Sequence, residues 1–257
     1  MCWFSATSIV MNIKQYLDST YLKTASQAGL SEAENTFVVQ NAISEAIQES
    51  FKLIMIRPEY VSMAKAMILE ANSVLLIGTV IDFPEGKSTL ETKLKEANEA
   101  IANGADDLDF VCNYEAFKNG DADLVKQEIL VGTQIGLANN KTVKWIIEVA
   151  ALNDKEIIQL CVLIKNVIIS NFKEDDFASV FVKSSTGFYK TENDLPNGAT
   201  IPSIIIMLEN ASPLPVKAAG GVRSFDDAVE MIRLGVKRIG TSVAKAIVNG
   251  ENSPNQY

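Results

Sequence analysis

Two lysines in this sequence stand where an ammonium group is hard to keep. Lys183 follows the run "SVFV" (179–182), and Lys217 sits in "PVKAAGGVR" (215–223). Amines are almost never fully buried without a partner. At the ends of neighbouring parallel strands, which run about 4.8 Å apart, the two nitrogens come within roughly 6 Å of each other. At an effective dielectric near 20 their repulsion is roughly 3 kcal/mol, or about two pKa units. One of them then sheds its proton easily. A neutral amine adds to carbonyls and forms a Schiff base, which an ammonium does not. A lone lysine at a strand end is more often a solvated tip with its stem on apolar surface, so it is the pair that points to catalysis. Asp109, in "DLDFV" (107–111), alternates onto one face with Asp107 and Val111. Alone it reads as a cap for the next turn, whereas beside two lysines it becomes a proton shuttle that tempers their charge.

Glycines supply the other half of the chemistry. Gly187 follows "SST", Gly220 and Gly221 follow Lys217, and Gly240 precedes Thr241 and Ser242. Any one of them marks a turn, but together they fall at three successive strand ends. There, backbone N–H groups and a helix N-terminus can hold a phosphate. The hydroxyls of Thr241 and Ser242 can donate to it, and Arg223 is an outer clamp.

The elements that must position these groups are legible as an alternation. Strand-like runs occur at 52–56, 74–81, 107–111, 143–149, 179–185, 215–220 and 237–242, and "YLDST" (16–20) makes an eighth ahead of a helix at about 33–50. Between them lie amphipathic stretches. In "STLETKLKEANEAIANG" (88–104), Ser88 and Glu91 have capping-box spacing, and Leu90, Leu94, Ala97 and Ile101 share one face. Caps at Asn153 and Ser224 start two more helices. Strand–helix alternation implies parallel strands with right-handed crossovers. Eight units in about 250 residues predict an α/β fold, a single-domain (β/α)8 TIM barrel over 1–257. An open doubly wound sheet is the rival, but no GxGxxG follows the first strand. Residues 1–11 read as a loose extension if Met11 is an alternative start, and 187–200 is the one long irregular stretch.

Composition removes other classes. The 257 residues are 47% hydrophobic and 21% charged, ordinary for a globular protein. A formal charge of -9 repels a nucleic-acid backbone. There is no histidine, and Cys2, Cys112 and Cys161 lack CxxC spacing, which disfavours zinc sites and histidine triads. No metal and no cofactor are expected. No stretch approaches the roughly 20 apolar residues that span a bilayer, so a cytoplasmic protein with no membrane partner is expected.

"DLDFV", "FVKSSTGF", "VKAAGGVR" and "RIGTS", in this order and at these separations, resemble the deoxyribose-phosphate aldolase family. "LDST" (17–20), "GTVIDFPEG" (78–86) and "WIIEV" (145–149) extend the resemblance over most of the chain. The resemblance implies a class I aldolase on a (β/α)8 barrel. Such an enzyme reversibly cleaves 2-deoxy-D-ribose 5-phosphate to acetaldehyde and D-glyceraldehyde 3-phosphate, without metal. It implies Lys183 as the Schiff-base lysine, Lys217 as the partner that lowers its pKa, and Asp109 as the acid/base. Asp18 and Thr186 match residues lining the site, and Gly187, Gly220, Gly221, Gly240 and Ser242 match its phosphate cradle. Some members end in a mobile tail whose last tyrosine assists proton transfer, which implies such a tail at 250–257 and that role for Tyr257. Members are commonly dimers, so a homodimer is the expectation. Ser184, Val243, Met55, Arg57 and Asp82 depart from the family pattern, with Val243 replacing a hydroxyl at the cradle and Arg57 bearing on substrate preference. The alternatives are a Schiff-base aldolase of another sugar phosphate or keto acid, a non-catalytic phosphosugar-binding homologue, and a phosphate-binding barrel that needs no iminium.

Overall fold

Each of the eight runs forms a strand in the computed structural model, which describes residues 12–192 and 195–251. They are β1 (Leu17–Tyr21), β2 (Leu53–Ile56), β3 (Leu76–Ile81), β4 (Asp107–Val111), β5 (Thr142–Ile146), β6 (Val180–Lys183), β7 (Val216–Ala219) and β8 (Arg238–Thr241). Every strand pairs in parallel with its sequence neighbours, and β8 returns to β1 to close the ring. This is a (β/α)8 barrel. Helices cover the outside, so the strands are buried on both faces and carry almost unbroken apolar runs. The expected extension over 1–11 and positions 252–257 of the expected tail lie outside the described residues.

Caps place the helices. Asn153 and Ser224 close capping boxes with Glu156 and Asp227 at the starts of helices Asp154–Asn171 and Phe225–Leu234, as their spacing predicts. Helix Leu90–Ala102 differs. Its cap is Thr89, whose hydroxyl accepts from Thr92 N, because Ser88 is engaged elsewhere. Ser88 N and Oγ both donate to the Asp82 carboxylate, at 2.8 and 2.7 Å. The inward face of that helix is also not the expected stripe through Leu90, Leu94, Ala97 and Ile101. Lys93, Ala97 and Ala100 are its buried residues. Lys93 Nζ pairs with Glu128 at 2.8 Å and donates to the carbonyls of Gly86 and Val111. A cation with three acceptors outweighs the apolar stripe, and it ties the exits of β3 and β4 together.

Outward side chains seat the helices on the barrel. Phe110 stacks on Trp145 with centroids 4.9 Å apart, and Trp145 donates to Thr133 of helix Ala122–Ala138. Gly132 of that helix leaves room for the indole, which a Cβ would approach to 2.9 Å. Among the described residues, no helix is long and apolar enough to cross a membrane.

Candidate active site

At the C-terminal ends of the strands a cleft opens, lined by Lys183, Thr186, Gly187, Gly220, Gly221, Arg223 and Ser242 among others. The sequence places Lys183 there because it is the last residue of β6, at the end of a barrel strand where inward side chains meet the loops.

Register sets what surrounds it. Lys183 pairs with Lys217 on β7, Lys217 with Arg238 on β8, and Asp109 on β4 with Lys144 on β5. Asp109 Oδ2 accepts from Lys183 at 2.9 Å and from Lys217 at 3.0 Å, and its Oδ1 accepts from Lys144 at 2.9 Å. Lys144 also reaches Asp107 at 2.6 Å. Lys217 pairs with Asp18 at 2.6 Å, and Arg238 joins Asp18 and Asp107. Within this bonded set, Lys144, Lys183, Lys217 and Arg238 face three carboxylates. With all groups ionised, one positive charge is left over.

The lysine that relieves the excess is Lys183, whose amine is lowered to about 8. Burial is the larger cause. Asp109 opposes it, and the charge of Lys217 adds to it. Lys217 lowers the amine as expected, but with Lys183 only 3% exposed, lost hydration acts first. Asp109 goes the other way. Burial alone would raise its carboxyl, but Lys144, Lys183 and Lys217 hold it well below the usual carboxylate range. At pH 7 a lysine with a value near 8 is neutral about a tenth of the time, against roughly one part in 3,000 for an ordinary lysine.

Above Lys183 the cleft is rimmed by backbone. Gly220 and Gly221 take φ of 78° and 88°, which L side chains rarely adopt. Gly240 lines the cleft and also backs Lys217, since a Cβ there would lie 3.2 Å from Lys217 Cε. The irregular stretch after β6 folds back onto this rim. Ala199 N donates to the carbonyls of Ala219 and Gly220, and Asn197 Nδ2 donates to Gly187 O. Gly198 rests on Gly220 so closely that a Cβ would come within 2.5 Å of its Cα. Backbone cannot yield cheaply, so Gly198→Ala is expected to push the rim apart. KM for a phosphorylated substrate should rise about tenfold with kcat little changed, on an overpacking cost of about 1.4 kcal/mol. Steady-state kinetics read this, and an unchanged KM would show that the contact does not shape the rim.

The structure gathers Lys183, Thr186, Gly187, Gly220, Gly221, Gly240 and Ser242 in one cleft, with Lys217 and Asp109 bonded beneath. Asp18 is fully buried against Lys217 and Arg238, away from the cleft wall. Tyr257 lies outside the described residues. Sequence reasoning missed Lys144, Arg238 and Asn197. Lys144 carried the same signal as Lys183, a lysine inside a β-branched run. The departures also have places. Ser184 Oγ bridges to Ala219, accepting from its N and donating to its O. Asp82 takes φ of 54°, where a glycine costs nothing, and its carboxylate holds Ser88. Arg57 donates to Leu22 O and lies 5.3 Å from the Phe83 ring centroid, and Phe83 meets Phe188 edge to face at 5.1 Å.

Comparison with known proteins agrees with this geometry. A family model described as DeoC/LacD family aldolase matches residues 18–250. A deoxyribose-phosphate aldolase of Caldicellulosiruptor saccharolyticus is 34% identical over 92% of this chain and 97% of its own. That of Thermococcus gammatolerans is 35% identical over 93% and 96%. A solved deoxyribose phosphate aldolase from Aeropyrum pernix, described as a tetramer, superposes with a TM-score of 0.74 at 26% identity. It covers 92% of this chain and 89% of that one.

Proposed function

The chain belongs to the DeoC/LacD family of aldolases, and from that premise we propose that it reversibly cleaves 2-deoxy-D-ribose 5-phosphate to acetaldehyde and D-glyceraldehyde 3-phosphate through a Schiff base on Lys183. The observation that carries this reading is a buried lysine, lowered to about 8, on the same carboxylate oxygen as a second lysine.

Neutral Lys183 Nζ adds to C1 of the open-chain sugar, and the carbinolamine loses water to give an iminium. The C2–C3 bond then breaks. Its electron pair moves into the C1–C2 bond as the iminium nitrogen accepts charge, while the C3 hydroxyl gives up its proton and becomes the aldehyde of glyceraldehyde 3-phosphate. The resulting enamine takes a proton at C2, and hydrolysis frees acetaldehyde and Lys183. Asp109, held ionised by its lysines, takes the C3 hydroxyl proton through an ordered water as the bond breaks, and the same relay returns a proton to C2 of the enamine. Lys217 keeps Lys183 short of its proton. Gly187, Gly220, Gly221, Gly240 and Ser242, with Arg223, form the rim for the phosphate, by backbone N–H groups and hydroxyl.

The test supplies 2-deoxyribose 5-phosphate in the presence of EDTA and follows glyceraldehyde 3-phosphate through a coupled NADH assay. Turnover is expected to survive the chelator, because the iminium is the electron sink. Acetaldehyde with borohydride should leave a two-carbon adduct on the Lys183 peptide. Substrate binding without product would favour the non-catalytic reading.

A further inference from the structure

Glu148 has no part in the steps above, yet its geometry is unusual. It lies two residues beyond β5 with φ 55° and ψ 67°, a left-handed conformation rare for a residue with a side chain. It is almost fully buried, and three donors converge on its carboxylate. Thr186 N donates to Oε2 at 3.1 Å and Thr186 Oγ1 donates to Oε2, while Ser185 Oγ, with one proton, lies 2.7 Å from both Oε1 and the Asn197 carbonyl. Burial raises the Glu148 carboxyl, and these hydrogen bonds work against that. The hydroxyls pass the order on, for Ser185 Oγ accepts from Gly187 N at 2.9 Å and Thr186 Oγ1 from Phe188 N at 3.0 Å.

A hydroxyl has one proton to donate and two lone pairs to accept with. At Thr186 the proton goes to Glu148 and one lone pair goes to Phe188 N. One acceptor remains, on an oxygen whose residue lines the same cleft as Lys183. Thr186 follows Lys183 by three residues and precedes Gly187 of the rim. All three line one cleft, so a substrate joined to Lys183 at one end and held by the rim at the other lies in the space that Thr186 borders.

We propose that Glu148 is a positioning residue: by taking the Thr186 proton, it fixes that hydroxyl as an acceptor and selects substrates with a hydroxyl at C4, beside the phosphate-bearing carbon. This rests on the Schiff-base reading above. It explains why a carboxylate, which only accepts, stands at the end of β5 in a conformation that favours glycine.

The test compares condensation of acetaldehyde with D-glyceraldehyde 3-phosphate and with 3-oxopropyl phosphate, which lacks the hydroxyl beside the aldehyde. The readout is the ratio of the two kcat/KM values. E148Q offers an amide N–H that can turn the Thr186 hydroxyl around, so the ratio should fall about tenfold, the worth of one hydrogen bond. T186V should lower it equally and T186S should keep it. E148Q combined with T186V should do no more than either alone, because Glu148 acts through Thr186. Equal losses on both acceptors in E148Q, or losses that multiply in the double variant, would overturn the proposal. If E148Q fails to fold by circular dichroism, T186V decides, and an unchanged ratio there overturns it. Absence of the borohydride adduct on wild-type Lys183 would sink the Schiff-base reading instead, so the two failures are distinct.

Discussion

Lys183→Leu is expected to lower turnover of 2-deoxyribose 5-phosphate on the order of 10⁵-fold while leaving the barrel folded. The loss is large because, in the proposed mechanism, the amine supplies both the bond to the substrate and the electron sink, and holding such a nucleophile in place is worth effective molarities of about 10⁵ M or more. The fold should survive for an electrostatic reason. Lys183 belongs to a bonded set with one more cation than carboxylates, and its protonated form is the one disfavoured by burial. Leucine fills similar space and removes the surplus charge. Single-turnover kinetics with thermal melting check both halves. Activity within tenfold of wild type would mean that the reaction does not pass through this nitrogen.

Asp109→Asn should be the second most damaging change, and its signature lies in the pH profile. Turnover should fall roughly 10²- to 10³-fold, as for other groups that manage a proton in the transition state. The rising limb of kcat/KM, near pH 8 in the wild type, should move to lower pH. The sign follows from the charges. Asp109 stabilises the protonated form of Lys183, so neutralising it makes the proton easier to lose. Lys217→Met is the matched control, because Lys217 destabilises that same form and its loss should move the limb to higher pH. In neither variant should the limb reach the ordinary lysine range, since burial remains. Asp109→Asn should also cost about 3 kcal/mol of stability, because Lys144 and Lys217 lose a buried counter-charge. Limbs that shift together in the two variants, or not at all, would contradict this assignment.

The alternation of β-branched runs with capped amphipathic stretches located all eight strands, because both signals are local. Register across the barrel is not local. "VKWII" shows a lysine in a strand, but only the pairing of Lys144 with Asp109 reveals why it is there. The same limit explains Lys93, whose side chain reads as a solvent-facing helix position until Glu128, 35 residues on, is placed beside it. Ser88 had the spacing of a cap, and the competing acceptor at Asp82 lies six residues back in a backbone conformation that no pattern announces. Lys183 was recognisable from its apolar approach and the lysine on the next strand. The ranking of burial over repulsion was not, because it depends on how much water the closed barrel excludes.

Asp18 and Arg238 stand 220 positions apart in the chain and meet at 2.7 Å across the β1–β8 seam. The first carboxylate is therefore synthesised long before its guanidinium, and the three carboxylates and three lysines made before Arg238 balance one another, so the surplus positive charge enters with β8. The charge balance around Lys183 cannot accumulate strand by strand, because it is set only once the final stave of the ring is in place.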